Sequence, residues 1–192
     1  MFNRLPLKNF SLLLCLSVLS AAIPPACRAK VLLSQKDALA LAFPPGSSIE
    51  RKTAFLTPEQ AKEAESSARA KLGSKLWTYY VGASSSGTLG YAYFDRVIVR
   101  TLPSTVMAAL DAEGRLRFLE ILSFEEPEDY LPARRWFDLF KGKGPEDDLR
   151  VRGGIRNVAG ASLSAQVFAE SARRMLAVHG VLHPSERREG TP

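Results

Sequence analysis

A hydroxyl-bearing motif near the C-terminal end of the chain, Gly160-Ala161-Ser162-Leu163-Ser164, offers the clearest chemistry in the sequence. It stands at the predicted start of a helix, where unpaired backbone N–H groups and the positive end of the helix dipole favour a phosphate. Gly160 permits backbone angles closed to other residues and lets a ligand approach the main chain. Ser162 is therefore a helix cap, a phosphate contact or the attachment point of a phosphate-bearing group.

A second Gly-Ala-Ser, at Gly82-Ala83-Ser84, serves as an internal control. It lies between two predicted strands and no helix follows it, so we interpret it as a turn. Around Ser162, by contrast, Arg152 and Arg156 offer cationic partners for a phosphate, and Ser164 adds a hydroxyl in the first helical turn. An ordinary serine cap after a glycine-containing loop is the structural alternative there.

Two further groups of residues have either a functional or a purely structural interpretation. The acidic run Glu125-Glu126-Pro127-Glu128-Asp129-Tyr130 would supply an acid–base pair, a cation site or simply a solvated loop. Tyr130, Trp136 and Phe137 would form either a stacking platform for an aromatic ligand or part of the core.

The only two histidines, His179 and His183, are four residues apart. Gly180 and Pro184 disfavour a helix through both, so we predict solvated histidines in a loose tail rather than a metal pair. The chain contains no P-loop, no Gly-x-Gly-x-x-Gly and no nucleophile elbow. We therefore predict no catalytic residue and no metal ligand.

The first 29 residues have the layout of a secretory signal peptide. Arg4 and Lys8 precede an apolar stretch over 10–23, and Cys27-Arg28-Ala29 offers a small-x-small cleavage site. The stretch is shorter than the roughly 20 residues of a transmembrane helix. We predict export to the periplasm of a bacterium, with an uncleaved membrane anchor as the alternative.

The charge and the cysteine content of the chain argue against nucleic-acid binding and against cysteine-based redox sites. Residues 1–29 carry three basic and no acidic residues, so the net charge falls from +6 to +3 without them. This balance is too mild to indicate nucleic-acid binding. Both cysteines, Cys15 and Cys27, also lie in this segment, so the exported part has no disulfide, thiolate or iron–sulfur site. Any redox role must come from an organic cofactor.

The hydrophobic pattern predicts an α+β fold, a single domain in which a few helices pack on an antiparallel meander. The predicted helices span 34–42, 57–72, 132–140 and 162–178, and the predicted strands span 49–56, 76–81, 88–100, 105–110 and 115–124. We divide the chain into a signal peptide (1–29), an N-terminal helical and strand segment (30–74), a core (75–180) and a loose tail (181–192).

The stretch Ala159-Gly160-Ala161-Ser162-Leu163-Ser164 resembles the C-terminal signature of the FMN-binding domain family, which includes the flavin subunits of the Rnf and Nqr respiratory complexes. That signature is similar to Asp-x-x-Ser/Thr-Gly-Ala-Thr/Ser-x-Ser/Thr followed by an amphipathic helix. A second part of the chain resembles the small exported members of this family. It consists of the strand 115–124, the following Glu126-Pro127, and Tyr130, Pro132 and Trp136 beyond them. The likeness covers 76–178.

The resemblance implies FMN as cofactor, bound by Ser162, Gly160, Ala161 and Ser164. In the family, an exported ApbE-type flavin transferase esterifies the hydroxyl after Gly-Ala to the FMN phosphate, and Ser162 takes that position here. The implied role is electron transfer between redox partner proteins, with membrane-associated respiratory components among the partners.

The chain departs from the signature in two places, and these leave alternatives open. Arg156 stands where the family has aspartate, and Ala159 where it has Ser or Thr. An arginine there would hold the phosphate of a non-covalent FMN. A family member that keeps the fold as a flavin-free binding or scaffolding module is the second function, and a flavin-dependent reductase is the third.

Overall fold

The computed structural model describes residues 30–184, so the predicted signal peptide and residues 185–192 of the predicted tail lie outside the described residues. Within that range the chain has the predicted α+β architecture, built on one six-stranded antiparallel sheet. The strands are β1 (Lys30–Val31), β2 (Ser48–Phe55), β3 (Leu76–Ser84), β4 (Gly87–Val99), β5 (Leu102–Leu110) and β6 (Leu116–Phe124). The helices are α1 (Gln35–Ala42), α2 (Pro58–Ala68), α3 (Arg134–Phe137) and α4 (Ser162–Leu182), with 3₁₀ turns at Glu128–Tyr130 and Asp138–Phe140.

The strand order is β1-β6-β5-β4-β3-β2. Strands β2 to β6 follow one another as the predicted meander, and the short β1 pairs with the far edge of β6. The N-terminal segment therefore contributes both edges of the sheet, β1 at one side and β2 at the other. It belongs to the same sheet as the segment that follows it.

The larger core lies between the sheet and the layer formed by α2 and α4. Helix α4 buries a face that includes Phe168, Ala172 and Met175, because these residues recur at helical spacing. Helix α2 packs against α4 through three buried alanines, Ala61, Ala64 and Ala68. The opposite face of the sheet carries a smaller core under α1, formed by Ala38, Ala42, Phe43, Ala92, Met107, Ala109 and Leu122.

Helix α2 begins as its sequence predicts and ends earlier. The Thr57 side chain accepts from the Gln60 N–H and the Gln60 side chain accepts from the Thr57 N–H, which completes a capping box. The predicted end at residue 72 is wrong, because Arg69 adopts the left-handed conformation (φ 50°) and closes the helix at Ala68. The Glu65 side chain then accepts from the Leu72 N–H and fixes the chain beyond.

Two other predicted boundaries are also wrong. Gly82-Ala83-Ser84 belongs to β3 rather than to a turn, because Gly82 and Ala83 pair with Ile49 and Ser48 of β2 and the Phe43 ring packs where a Gly82 side chain would lie. A Cβ at Gly82 would lie 2.1 Å from that ring. Helix α4 continues to Leu182, four residues past its predicted end, because its last turns bury Val178, His179 and Val181. No helix in the described range 30–184 has both the length and the apolar character needed to cross a membrane.

Candidate phosphate site at the start of helix α4

The long helix α4 begins without a side-chain cap. Its cap position is Ala161, which has no hydrogen-bonding side chain, and Ser162 is the first helical residue. The Ser162 hydroxyl donates to the Val158 carbonyl at 2.9 Å and accepts from the Asn157 side-chain amide at 3.2 Å. Ser162 therefore does not act as an ordinary helix cap. Within residues 30–184, no side chain caps the start of this 21-residue helix, whose first-turn N–H groups have no partner inside the helix itself.

A cavity of about 280 Å³ opens at this helix start, lined by Arg100, Tyr130 and the continuous stretch from Gly160 to Ser164. Gly160 has φ 82°, a conformation that glycine adopts without strain, and this turns the chain into the helix. The cavity thus brings together four of the five predicted site residues, Gly160, Ala161, Ser162 and Ser164.

The fifth predicted residue, Arg156, does not line this cavity. Its side chain is exposed, while its backbone carbonyl accepts from the Trp136 indole N–H at 2.7 Å. Arg156 therefore contributes a main-chain contact that anchors the loop before α4.

Ser164 is a buried polar residue in the first turn of α4, beside the cavity. The residue is 1% exposed, and its hydroxyl has no hydrogen-bond partner among residues 30–184. A buried hydroxyl left in that state costs about 1–3 kcal/mol.

Arg100 is the site residue that sequence reasoning missed. It lies in the two-residue turn between β4 and β5 with φ 55°, a left-handed conformation that is uncommon for arginine. Its guanidinium lies 4.5 Å from the centre of the Tyr130 ring, which holds it beside the helix start by a cation–π contact. No motif marks this arginine, because the hairpin brings it to a helix start sixty residues later in the chain.

Glu126, from the predicted acidic cluster, fixes the turn that carries Arg100. One of its oxygens accepts from the Thr101 and Leu102 N–H groups at 2.9 and 3.0 Å and from the Thr101 hydroxyl at 3.3 Å. The hydrogen bond from the Thr101 N–H is the largest cause holding the pKa of the Glu126 carboxyl below its ordinary value. Glu126 thus anchors the turn between β4 and β5 instead of lying in a solvated loop.

The predicted aromatic platform divides between the site and the core. Tyr130 lines the cavity beneath Arg100. Trp136 is buried and packs edge-on against Phe137 and Phe140, so it is a core residue.

The prediction of solvated tail histidines is wrong. His179 is 4% exposed within α4, and its ring stacks on His183 with centres 4.8 Å apart. The Tyr93 hydroxyl lies 3.1 Å from His179 Nδ1, and Tyr91 packs against both imidazoles. Gly180 does not interrupt the helix because this aromatic packing outweighs its low propensity. No group of three or more metal-ligating side chains occurs in the described part of the chain.

The arrangement at the start of α4 is suited to binding an anion with several oxygens. It combines the first-turn amides of a helix with no side-chain cap, the Ser162 hydroxyl and the Arg100 guanidinium, which are groups that bind phosphate. Comparison with protein-family models, curated proteins and solved structures finds no match to this chain.

Proposed function

We propose that this protein is an exported electron carrier that binds FMN at the start of α4, with the flavin phosphate ester-linked through Ser162. The observation that carries the proposal is the cavity at the start of a 21-residue helix that has no side-chain cap, lined by Arg100 and by the stretch from Gly160 to Ser164. The resemblance of residues 159–164 to the FMN-binding signature supports our assignment of the phosphate to a flavin.

The chain's own groups would neutralise the phosphate from two sides. The N–H groups of the first helical turn and the helix dipole act along the axis of α4. Arg100 adds a full positive charge from the β4–β5 turn, held in place by Tyr130 and Glu126. Bound FMN would supply one- and two-electron redox chemistry, which this polypeptide alone does not provide.

Attachment requires a rearrangement at Ser162. Its hydroxyl hydrogen is now donated to the Val158 carbonyl, and an ester oxygen has no hydrogen to donate. When the bond between Ser162 Oγ and phosphorus forms, the hydroxyl loses its proton and its hydrogen bond to Val158 breaks. The P–O bond of a flavin phosphoanhydride donor breaks in the same step, and the departing phosphate half of that donor takes up the proton. The Asn157 amide can still donate to Ser162 Oγ, since it is already its hydrogen-bond donor. We propose that an ApbE-type flavin transferase performs the step and that redox partner proteins then exchange electrons with the flavin.

The test is the intact mass of protein produced with and without such a transferase. We expect a gain of one FMN less one water, which Ser162→Ala abolishes. Ser84→Ala is the matched control, because Ser84 follows the other Gly-Ala pair at the end of β3 and should leave the gain intact. An unshifted mass with a colourless protein would exclude the carrier.

A flavin-free binding or scaffolding module is the second candidate. The observations that favour it are Arg156 and Ala159, which depart from the signature, and the two hydrogen bonds that already engage the Ser162 hydroxyl. A yellow protein of unshifted mass would instead indicate non-covalent FMN. In that case Arg100→Gln should release the flavin on gel filtration, whereas the exposed Arg135→Gln should not.

A further inference from the structure

The sheet opens into a second cleft where β3 and β4 separate. These strands pair from Ser84 and Gly87 as far as Tyr79 and Tyr93. The same register would place Thr78 opposite Phe94, but within residues 30–184 no pairing continues there. On this side, β3 stays paired with β2 back to its first residue, Leu76, and β4 stays paired with β5 up to its last residue, Val99. The sheet therefore divides into two ribbons, and a cleft of about 610 Å³ lies between them.

Aromatic side chains form the walls of this cleft. Tyr80 and Phe94 meet edge to face, with ring centres 5.7 Å apart, and Trp77 lines the cleft from β3. The Gln35 side chain donates to the Tyr80 hydroxyl at 2.9 Å, which holds that ring in place.

The charge of the cleft is positive. Arg51 and Arg96 both line it, and neither forms an ion pair with any residue of the described range. The single acidic residue of the described lining, Asp95, is already neutralised by Arg174 at 2.8 Å and accepts from Ser171. Two arginines therefore remain available to an anion.

We propose that this cleft binds a small organic anion with a planar ring, such as an aromatic carboxylate or a nucleotide-like phosphate. Arg51 and Arg96 would take the anionic group, and the ring would lie against Tyr80 and Phe94. The volume falls within the roughly 300–1,000 Å³ of ligand pockets. The proposal is independent of FMN at the start of α4, because no residue lines both cavities.

Amide-resolved NMR titration of the purified protein tests the site. The probes are AMP and benzoate, with adenosine and benzamide as their neutral counterparts. We expect both anions to shift the Trp77 indole signal and the amides of Thr78, Phe94 and Arg96, and the neutral compounds to bind several-fold more weakly. Arg51→Gln with Arg96→Gln should weaken anion binding at least about fivefold, given the modest worth of each exposed charge. Arg135→Gln, at an exposed arginine outside the cleft, should not.

Three results would overturn the proposal. The first is the lack of any shift at the cleft when either anion is added up to about 10 mM, a concentration at which even weak millimolar binding would be detected. The second is binding at the cleft that is unchanged in the double variant. The third is a set of AMP shifts confined to residues 160–164, which would assign the anion to the site at α4 alone. The spectrum of each variant also reports whether it is folded.

Discussion

At the scale of single residues, Glu126 shows how a charged side chain can shape a site without touching a ligand. Its carboxylate accepts two backbone N–H groups that follow Arg100, so it stabilises the turn that holds Arg100 in a left-handed conformation. Such conformations persist only when their surroundings determine them. The position of the Arg100 guanidinium thus depends on an acidic residue that the sequence pattern alone would place in a solvent-exposed loop.

We predict that Glu126 makes stability depend on pH. Its folded pKa is depressed, so its stabilising effect is complete at neutral pH and is lost as the pH falls below its ordinary value of 4.5 and through the folded pKa. Glu126→Gln should lower the Tm near neutral pH, and the difference from the parent should shrink in acid. Thermal unfolding followed by circular dichroism measures this. Asp129→Asn, at an exposed position of the same acidic run, should show no such pattern; a pH-independent deficit in Glu126→Gln would refute the argument.

His179 is a residue whose environment the sequence does not reveal. Its neighbours Tyr91 and Tyr93 come from β4, nearly ninety positions earlier, so nothing local signals burial. We predict that His179→Ala destabilises the protein by about 3 kcal/mol, because it leaves a cavity between helix and sheet. Denaturant unfolding measures the loss, and His183→Ala should cost less because His183 is only partly buried. Equal losses would contradict this assignment.

At the scale of elements, local signals predicted how helices begin better than how they end. The helix starts predicted at residues 34 and 57 fall on Ser34 and Thr57, the residues that cap α1 and α2. The ends of α2 and α4 depend on Arg69 and on packing against β4, which have no local pattern. The same holds at the candidate site: Gly160 to Ser164 were predictable as one contiguous motif, whereas Arg100 reaches them only through the hairpin.

Helix α4 is also tied to the sheet by a nearly buried ion pair. Asp95 of β4 accepts from the Arg174 guanidinium and from the Ser171 hydroxyl, and the Asp95 and Arg174 side chains are 14% and 12% exposed. We predict that Asp95→Asn costs about 2 kcal/mol of unfolding free energy, because it removes charge-assisted hydrogen bonds in a poorly solvated place and leaves Arg174 only its ion pair with the half-exposed Glu170 among the described residues. Ser171→Ala should cost only about 1 kcal/mol, the worth of one hydrogen bond. Chemical denaturation of both variants tests the ranking, and a larger loss in Ser171→Ala would reverse it.

At the scale of the whole molecule, the short β1 closes the sheet that carries both candidate sites. Lys30 pairs with Phe124, and the Leu32 and Leu33 N–H groups both donate to the Leu122 carbonyl. Leu33 also packs against the smaller core under α1. These contacts begin directly after the predicted cleavage point, so removal of residues 1–29 would leave the edge of β6 covered.

We therefore predict that a chain beginning at Lys30 is monodisperse and that one beginning at Ser34 is not. Loss of residues 30–33 exposes the edge of β6 and the nearly buried Leu122, and an uncovered apolar edge strand favours pairing with other molecules. Light scattering during gel filtration should detect self-association, and thermal unfolding should give a lower Tm. If both chains behave alike, β1 does not protect the edge. The fold would then be complete from α1 onward, and the boundary between leader and domain would lie nearer Ser34.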